Sequence, residues 1–194
     1  METIKLPQNS PIGIFDSGLG GLTVLKSLEK ILPNESFIYF GDTAHVPYGT
    51  KSAETVIRYS QHIMDFFLKH ETKAVVIACN TASAVAFQHL KQIYNIPLFD
   101  VVTPSVEYSI IHTKNKNIGV LGTFSTIQSN AYSKMFQKLD NECKIIEVAC
   151  PLFVPIIEEG WADTNIAKDI ANTYLNDFQN SNIDTLILGC THYP

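Results

Sequence analysis

The segments Ala74-Val-Val-Ile-Ala-Cys79-Asn-Thr and Thr185-Leu-Ile-Leu-Gly-Cys190-Thr-His spell one pattern twice: an apolar run, then a cysteine, then two polar residues. Two further pairs precede it in the same order. Pro11-Ile-Gly13-Ile-Phe resembles Asn117-Ile-Gly119-Val-Leu, each followed by Ser/Thr/Gly-rich turn residues. Phe37-Ile-Tyr-Phe, leading into a loop with Pro47, resembles Lys144-Ile-Ile-Glu-Val, leading into Pro151 and Pro155. The glycines are 106 residues apart and the cysteines 111. A chain that repeats itself in this way is constrained to fold as two similar units.

Within each unit, short β-branched apolar runs alternate with longer amphipathic ones, the βαβ rhythm of a parallel sheet covered by helices. The pattern predicts strands at about 11–15, 36–40, 74–78, 97–101, 118–122, 144–149 and 184–189. Helices are predicted at about 21–32, 52–70, 82–94, 103–113, 126–139 and 164–180. In the second helix Ser52 is the expected N-cap, and Val56, Tyr59, Ile63, Phe66 and Phe67 recur at helical spacing. The fold class is therefore α/β: two similar lobes with mostly parallel sheets flanked by helices, related by a pseudo-twofold axis. The boundary falls in the stretch 98–117, giving a first lobe of residues 1–98 and a second of 99–194. The second lobe looks incomplete at its C-terminus. Cys79 is followed by a predicted helix and strand, Cys190 only by Thr-His-Tyr-Pro, so the chain reads as a fragment of a longer protein.

Composition removes several classes of function. The formal charge of −5 argues against a nucleic-acid partner, which would want a basic stripe. No stretch approaches the ~20 apolar residues of a membrane span. The opening METIKLPQNSP lacks the basic and apolar regions of a signal peptide. Four cysteines (Cys79, Cys143, Cys150, Cys190) with no C-x-x-C read as reduced thiols in a cytoplasm. Metal binding has no support beyond the bare Cys190-Thr-His192. Arg58 is the sole arginine, so a bound anion has to be held by backbone N–H groups and hydroxyls.

Ligands of open parallel sheets bind at the carboxyl ends of the strands. Four segments lie there: Phe15-Asp16-Ser17-Gly18-Leu19-Gly20-Gly21, Gly41-Asp42-Thr43-Ala44-His45-Val46-Pro47-Tyr48-Gly49, Cys79-Asn80-Thr81 and Cys190-Thr191-His192. The first has neither dinucleotide nor P-loop spacing. Its glycines permit close backbone approach, and the following helix N-terminus offers donors to a small carboxylate, with Ser17 adding a hydroxyl. Cys143 and Cys150 read as small buried hydrophobes. Cys79 and Cys190 do not, because polar residues follow each immediately. Each is expected where a strand hands over to a helix, whose N–H groups would lower the thiol pKa.

Two thiols at equivalent strand ends suit inversion of a carbon stereocentre. Facing one ligand from opposite sides, one thiol removes a proton and the other supplies one. Asp16 is read equally as a capping carboxylate or as a group holding a proton beside Cys79, and His192 as a packed imidazole or a partner of Cys190. Glu158 and Glu159 both default to a surface turn. A hydrolase with Cys190 as nucleophile and His192 beside it stays open, though it gives Cys79 no work. A module that binds a small carboxylate without catalysis stays open too.

Five ordered motifs, Ile12-Gly-Ile-Phe-Asp-Ser-Gly-Leu-Gly-Gly-Leu, Gly41-Asp-Thr-Ala…Pro47-Tyr-Gly, Ala78-Cys-Asn-Thr-Ala-Ser, Cys150-Pro-Leu-Phe-Val-Pro and Gly189-Cys-Thr-His-Tyr-Pro, resemble the aspartate/glutamate racemase family. The likeness runs from about residue 11 to the last residue, and is nearer the glutamate branch than the aspartate one. It implies a cofactor-independent isomerase that interconverts L- and D-glutamate in a bacterial cytoplasm, supplying D-glutamate for peptidoglycan, cell-wall biogenesis and cell shape. Aspartate and hydantoin racemases are the alternatives within the superfamily. By this resemblance Cys79 and Cys190 are the acid/base thiols, assisted by Asp16, Glu158 and His192. Substrate contacts come from Ser17, Tyr48, Gly49, Asn80, Thr81, Thr123 and Thr191. No metal or cofactor is implied, the partner is a small-molecule substrate, and members of the family commonly pair as homodimers. Two departures stand out. His45 stands where the family usually carries arginine, and the family continues some seventy residues beyond its Gly-Cys-Thr-His-Tyr-Pro. A protein truly ending at Pro194 is expected to be catalytically impaired and poorly stable.

Overall fold

A computed structural model describes residues 9–194, which form two compact units, one running to Val101 and the other starting at Val102. The stretch read for a leader lies, as far as residue 8, outside the described residues.

The first unit is a parallel sheet of β1 (Ile12–Asp16), β2 (Phe37–Gly41), β3 (Ala74–Ile77) and β4 (Leu98–Asp100), in the order β2-β1-β3-β4. Helices α1 (Leu22–Ile31), α2 (Ala53–Lys69) and α3 (Asn80–Ile93) connect the strands. Ser52 caps α2 as expected, its side chain accepting from the Thr55 N–H at 3.3 Å. The apolar stripe of α2 buries Val56, Ile63, Met64 and Phe67 against Phe15, Val75 and Ile77 of the sheet. Tyr59 and Phe66 pack at the margin of this core. Gly13 makes the approach possible, since a Cβ there would lie 2.7 Å from the Phe67 ring.

The second unit opens with α4 (Val102–His112) and repeats the topology with β5 (Asn117–Gly122), β6 (Lys144–Ala149) and β7 (Thr185–Gly189), in the order β6-β5-β7. β5, β6 and β7 thus stand as β1, β2 and β3 do in the first sheet. Gly119 is the counterpart of Gly13, with a Cβ there meeting Phe178, Ile183 and Leu186 at 2.9 Å. The remaining helices are α5 (Phe124–Gln128), α6 (Ala131–Leu139), α7 (Phe153–Glu158) and α8 (Asn165–Leu175). Leu121, Val148, Cys150 and Phe178 form one core cluster of this lobe.

Three elements differ from the sequence expectation. The single helix expected over 126–139 is divided into α5 and α6 by Asn130, which adopts a left-handed conformation (φ 55°) that asparagine tolerates. α7 ends at Glu158, where a surface turn is expected, and occupies a stretch with no predicted helix that carries Pro155. That proline falls in the first helical turn, where the missing N–H would have had no partner. The helix expected to reach residue 180 ends at Leu175 and tightens into a 3-10 turn over Asn176–Phe178. No helix among the described residues is long and apolar enough to cross a membrane.

Candidate active site

In the first lobe the polar groups collect where the strands end. Cys79 follows β3 and is the N-cap of α3, its Sγ accepting from the Ala82 N–H at 3.4 Å. The thiol also lies 3.7 Å from the Ser17 Oγ, to which it donates. Ser17 follows β1 directly, and Asp16, the last residue of that strand, is fully buried. The Gly18 N–H donates to Asp16 Oδ2 at 3.0 Å. This glycine-rich turn is pinned by Tyr39 of β2, whose hydroxyl donates to the Gly18 carbonyl at 2.8 Å. Gly21 closes it, because a Cβ there would fall 2.5 Å from Asp16 Cβ and 3.0 Å from the Tyr39 hydroxyl.

The expected lowering of the Cys79 pKa is not what the surroundings produce. Burial pushes the thiol up to about 11, and the negative charge of Asp16 adds to the rise. The N–H of Ala82 and the hydroxyl and N–H of Ser17 pull the other way and are outweighed. Desolvation of a fully enclosed sulfur exceeds what a helix N-terminus returns, so at neutral pH Cys79 stays a thiol.

Tyr48 and Gly49 are buried in a 3-10 turn over Tyr48–Thr50. The Tyr48 hydroxyl donates to Asp42 Oδ2 at 2.6 Å. Burial, then Asp42, raise its pKa, with smaller contributions from Cys79 and Asp16, which places all four groups within electrostatic reach. Asn80 and Thr81 form the buried first turn of α3. The structure thus brings Asp16, Ser17, Tyr48, Cys79 and their neighbours into one cluster.

In the second lobe Cys190 follows β7. Residues 191–194 form a turn in which the Tyr193 N–H donates to the Cys190 carbonyl at 3.2 Å. The handover from strand to helix holds for Cys79. The Cys190 Sγ lies 3.8 Å from His192 Nδ1, and His192 Nε2 lies 2.6 Å from Glu158 Oε1. The imidazole is buried and the carboxylate half-exposed. Glu158 ends α7 and bonds into the site, whereas Glu159 is only the cap residue beyond it. The default reading of Glu158 as plain surface is corrected.

Tyr193 anchors the turn. It packs edge-on to Phe153 at 5.2 Å, and its hydroxyl donates to the Cys150 carbonyl at 3.4 Å. Burial pushes the Cys150 thiol up to about 12, as for an inert core cysteine. Thr123 follows β5 as Ser17 follows β1, and caps α5 by accepting from the Thr126 N–H at 3.3 Å. Thr191 is half-buried beside the thiol. Among the described residues no group of three or more His, Cys, Asp or Glu side chains could hold a metal ion.

Sequence reasoning passed over Asp42, Tyr39 and Tyr193, which shape these sites through hydrogen bonds. Asp42 stood inside a quoted motif, but a loop carboxylate carries no signal of its eventual partners.

A strand-end thiol with its own polar partners, present in each of two lobes of like topology, defines a class that the comparisons identify. The chain matches the Asp/Glu/Hydantoin racemase family model over residues 12–194, and it belongs to that family. Among its relatives, a glutamate racemase of Geobacter metallireducens is 52% identical over 183 residues, covering 94% of this chain and 68% of the relative. The solved glutamate racemase of Bacillus anthracis superposes with a TM-score of 0.93 at 40% identity, over 97% of this chain and 71% of that one. That of Francisella tularensis, solved in complex with D-glutamate, gives 0.90 at 46% identity, over 96% and 70%. An aspartate racemase of Picrophilus torridus shares the fold at 14% identity.

Proposed function

We propose that this chain interconverts L- and D-glutamate by proton transfer at the α-carbon, with Cys79 and Cys190 as the two acid/base groups. The observation that carries the reading is the repetition itself: a buried thiol at the carboxyl end of β3 and another at that of β7. Two dissimilar jobs would not call for the same residue at the same place in both lobes. The roughly 50% identity to glutamate racemases supports glutamate over aspartate or a hydantoin.

In the reaction one sulfur, as thiolate, takes the α-proton. The electron pair left on carbon spreads into the adjacent carboxylate, and the other sulfur delivers its own proton to the opposite face. Inversion follows and no redox change occurs, so the chemistry calls for no cofactor. The two thiols start unequally. Cys79, raised to about 11, rests protonated and acts first as acid. Cys190 has the His192 Nδ1 to take its proton and acts first as base, with Glu158 holding the ring. The roles exchange for the opposite enantiomer. Ser17 and the backbone of the Tyr48–Gly49 turn, with Asn80, Thr81, Thr123 and Thr191, supply the neutral donors that hold the substrate carboxylates, in a chain whose sole arginine lies in α2. The same reading has the enzyme working in a bacterial cytoplasm as a homodimer, its D-glutamate passing to peptidoglycan.

The Cys190–His192–Glu158 chain also resembles the array of a cysteine hydrolase, and one experiment separates the readings. Purified enzyme is expected to drive the circular dichroism of L-glutamate to zero and leave L-aspartate unchanged. Cys79→Ser and Cys190→Ser are each expected to lower kcat by roughly 10²–10⁴ or more, the scale of a lost acid/base group. Near-normal turnover in Cys79→Ser would overturn the two-thiol mechanism.

A further inference from the structure

Asp42 is a buried carboxylate, 8% exposed, that the proposed chemistry does not use. A buried charge is costly unless its oxygens are hydrogen-bonded, and these are. Oδ2 accepts the Tyr48 hydroxyl at 2.6 Å, and His45 Nδ1 lies 2.8 Å from Oδ1 and 3.0 Å from Oδ2. The His45 ring stacks on Tyr59 of α2 at 4.1 Å, tying the pair to the lobe's core helix. On its backbone side, the Asp42 N–H donates to the carbonyl of Asp16 at 3.0 Å.

These bonds have a consequence for Tyr48. Its hydroxyl proton is committed to Asp42 and its side chain is 1% exposed, so the phenol does not donate to an anionic substrate. What the turn over Tyr48–Thr50 offers a ligand is its shape, and Asp42 sets that shape. We infer that Asp42 is a positioning residue: its carboxylate holds the Tyr48–Gly49 turn, while its N–H holds the segment carrying Asp16 and Ser17. One residue thereby fixes the spacing of two substrate-binding segments of the first lobe. His45 is part of the same brace, which gives a use to the residue that departs from the family pattern. The inference rests on the reading that Ser17, Tyr48 and Gly49 contact glutamate.

The test compares Asp42→Ala, Asp42→Asn, Tyr48→Phe and the Asp42→Ala/Tyr48→Phe double variant in steady-state racemisation and backbone hydrogen exchange. Asp42→Ala is expected to raise KM for glutamate about tenfold while kcat changes less than about threefold, the signature of lost ground-state binding. Asp42→Asn keeps an oxygen acceptor for Tyr48 and is expected to restore KM to within about threefold of the parent. The double variant is expected to be no worse than Asp42→Ala, because both cut one bond. The Lys51 amide, which donates to the Tyr48 carbonyl at 3.0 Å, is expected to exchange at least about tenfold faster in Asp42→Ala, with α2 unchanged. Additive effects, a fall in kcat at constant KM, or unaltered Lys51 exchange would each overturn the inference. If Asp42→Ala does not fold, Tyr48→Phe must reproduce the KM rise, and a normal KM then overturns it. A parent enzyme that leaves glutamate untouched would sink the proposed function instead, and the exchange experiment would still decide the role of Asp42.

Discussion

His192 Nε2 sits 2.6 Å from Glu158 Oε1, joining the turn after β7 to the last residue of α7. With the Nε2 proton donated to Glu158, Nδ1 is left as the acceptor facing the Cys190 thiol at 3.8 Å. The carboxylate thus selects the imidazole tautomer that can receive a proton from sulfur. His192→Asn is expected to lower kcat by roughly 10²–10⁴, the scale of a lost acid/base group. Glu158→Gln keeps an oxygen acceptor and is expected to cost no more than about tenfold. Both are read from the decay of circular dichroism, and equal losses in the two variants would contradict the tautomer argument.

Cys79 gives a prediction with a defined sign in pH. Its folded pKa of about 11 lies above the ordinary thiol value of 9.0. Between those values the unfolded chain has lost the proton and the folded chain keeps it, so stability present below pH 9 is lost as pH rises toward 11. Alkylation of Cys79 by iodoacetamide should accelerate about tenfold per pH unit across the same window. Thermal unfolding of the parent should steepen its decline above pH 9, and Cys79→Ser should remove part of that slope. A Cys79 alkylation rate that levels off near pH 8 would contradict the burial argument.

Gly21 has an ordinary helical φ of −65°, so any penalty for a larger residue there comes from contact alone. A methyl group would press on Asp16 Cβ at 2.5 Å and on Ala78 Cβ at 3.0 Å. Gly21→Ala is expected to destabilise the chain by about 1–3 kcal/mol, the usual cost of overpacking. It should also lower kcat/KM by displacing Asp16 and Ser17 from Cys79. Calorimetry and steady-state rates check both, and a variant with normal melting and normal rates would show that the turn yields easily.

The parts of this architecture legible in the sequence are those written in periodicity and repetition. Phe67 and Val56 announced α2, and the twin cysteines announced two strand ends of one kind. The environments of those cysteines were not legible. The polar Asn80-Thr81 after Cys79 suggested a helix N-terminus and a lowered pKa; the helix is there, but full burial of the sulfur reverses the shift. At Cys190 an imidazole lies 3.8 Å from the thiol, and the bond that orients it comes from Glu158, 34 residues away and beyond any local window. α7 has only six residues, too few to show a helical period, so the route by which Glu158 reaches the site was not legible. Tyr39 was silent because its bond joins β2 to the Gly18 loop, 21 residues away, which no local window contains; Asp42 was silent because its near partners, His45 and Tyr48, lie in a loop whose course no periodicity fixes.

The most direct test of proton transfer between two thiols is the fate of the α-hydrogen in heavy water. L-Glutamate is incubated with the enzyme in D₂O for a small fraction of equilibration, and both enantiomers are isolated and examined by mass spectrometry. Two separate acid/base groups predict D-glutamate carrying one solvent deuterium at the α-carbon, with the recovered L-glutamate almost unlabelled. D-Glutamate that retains the original hydrogen, or label spread equally through both enantiomers from the start, would contradict the account.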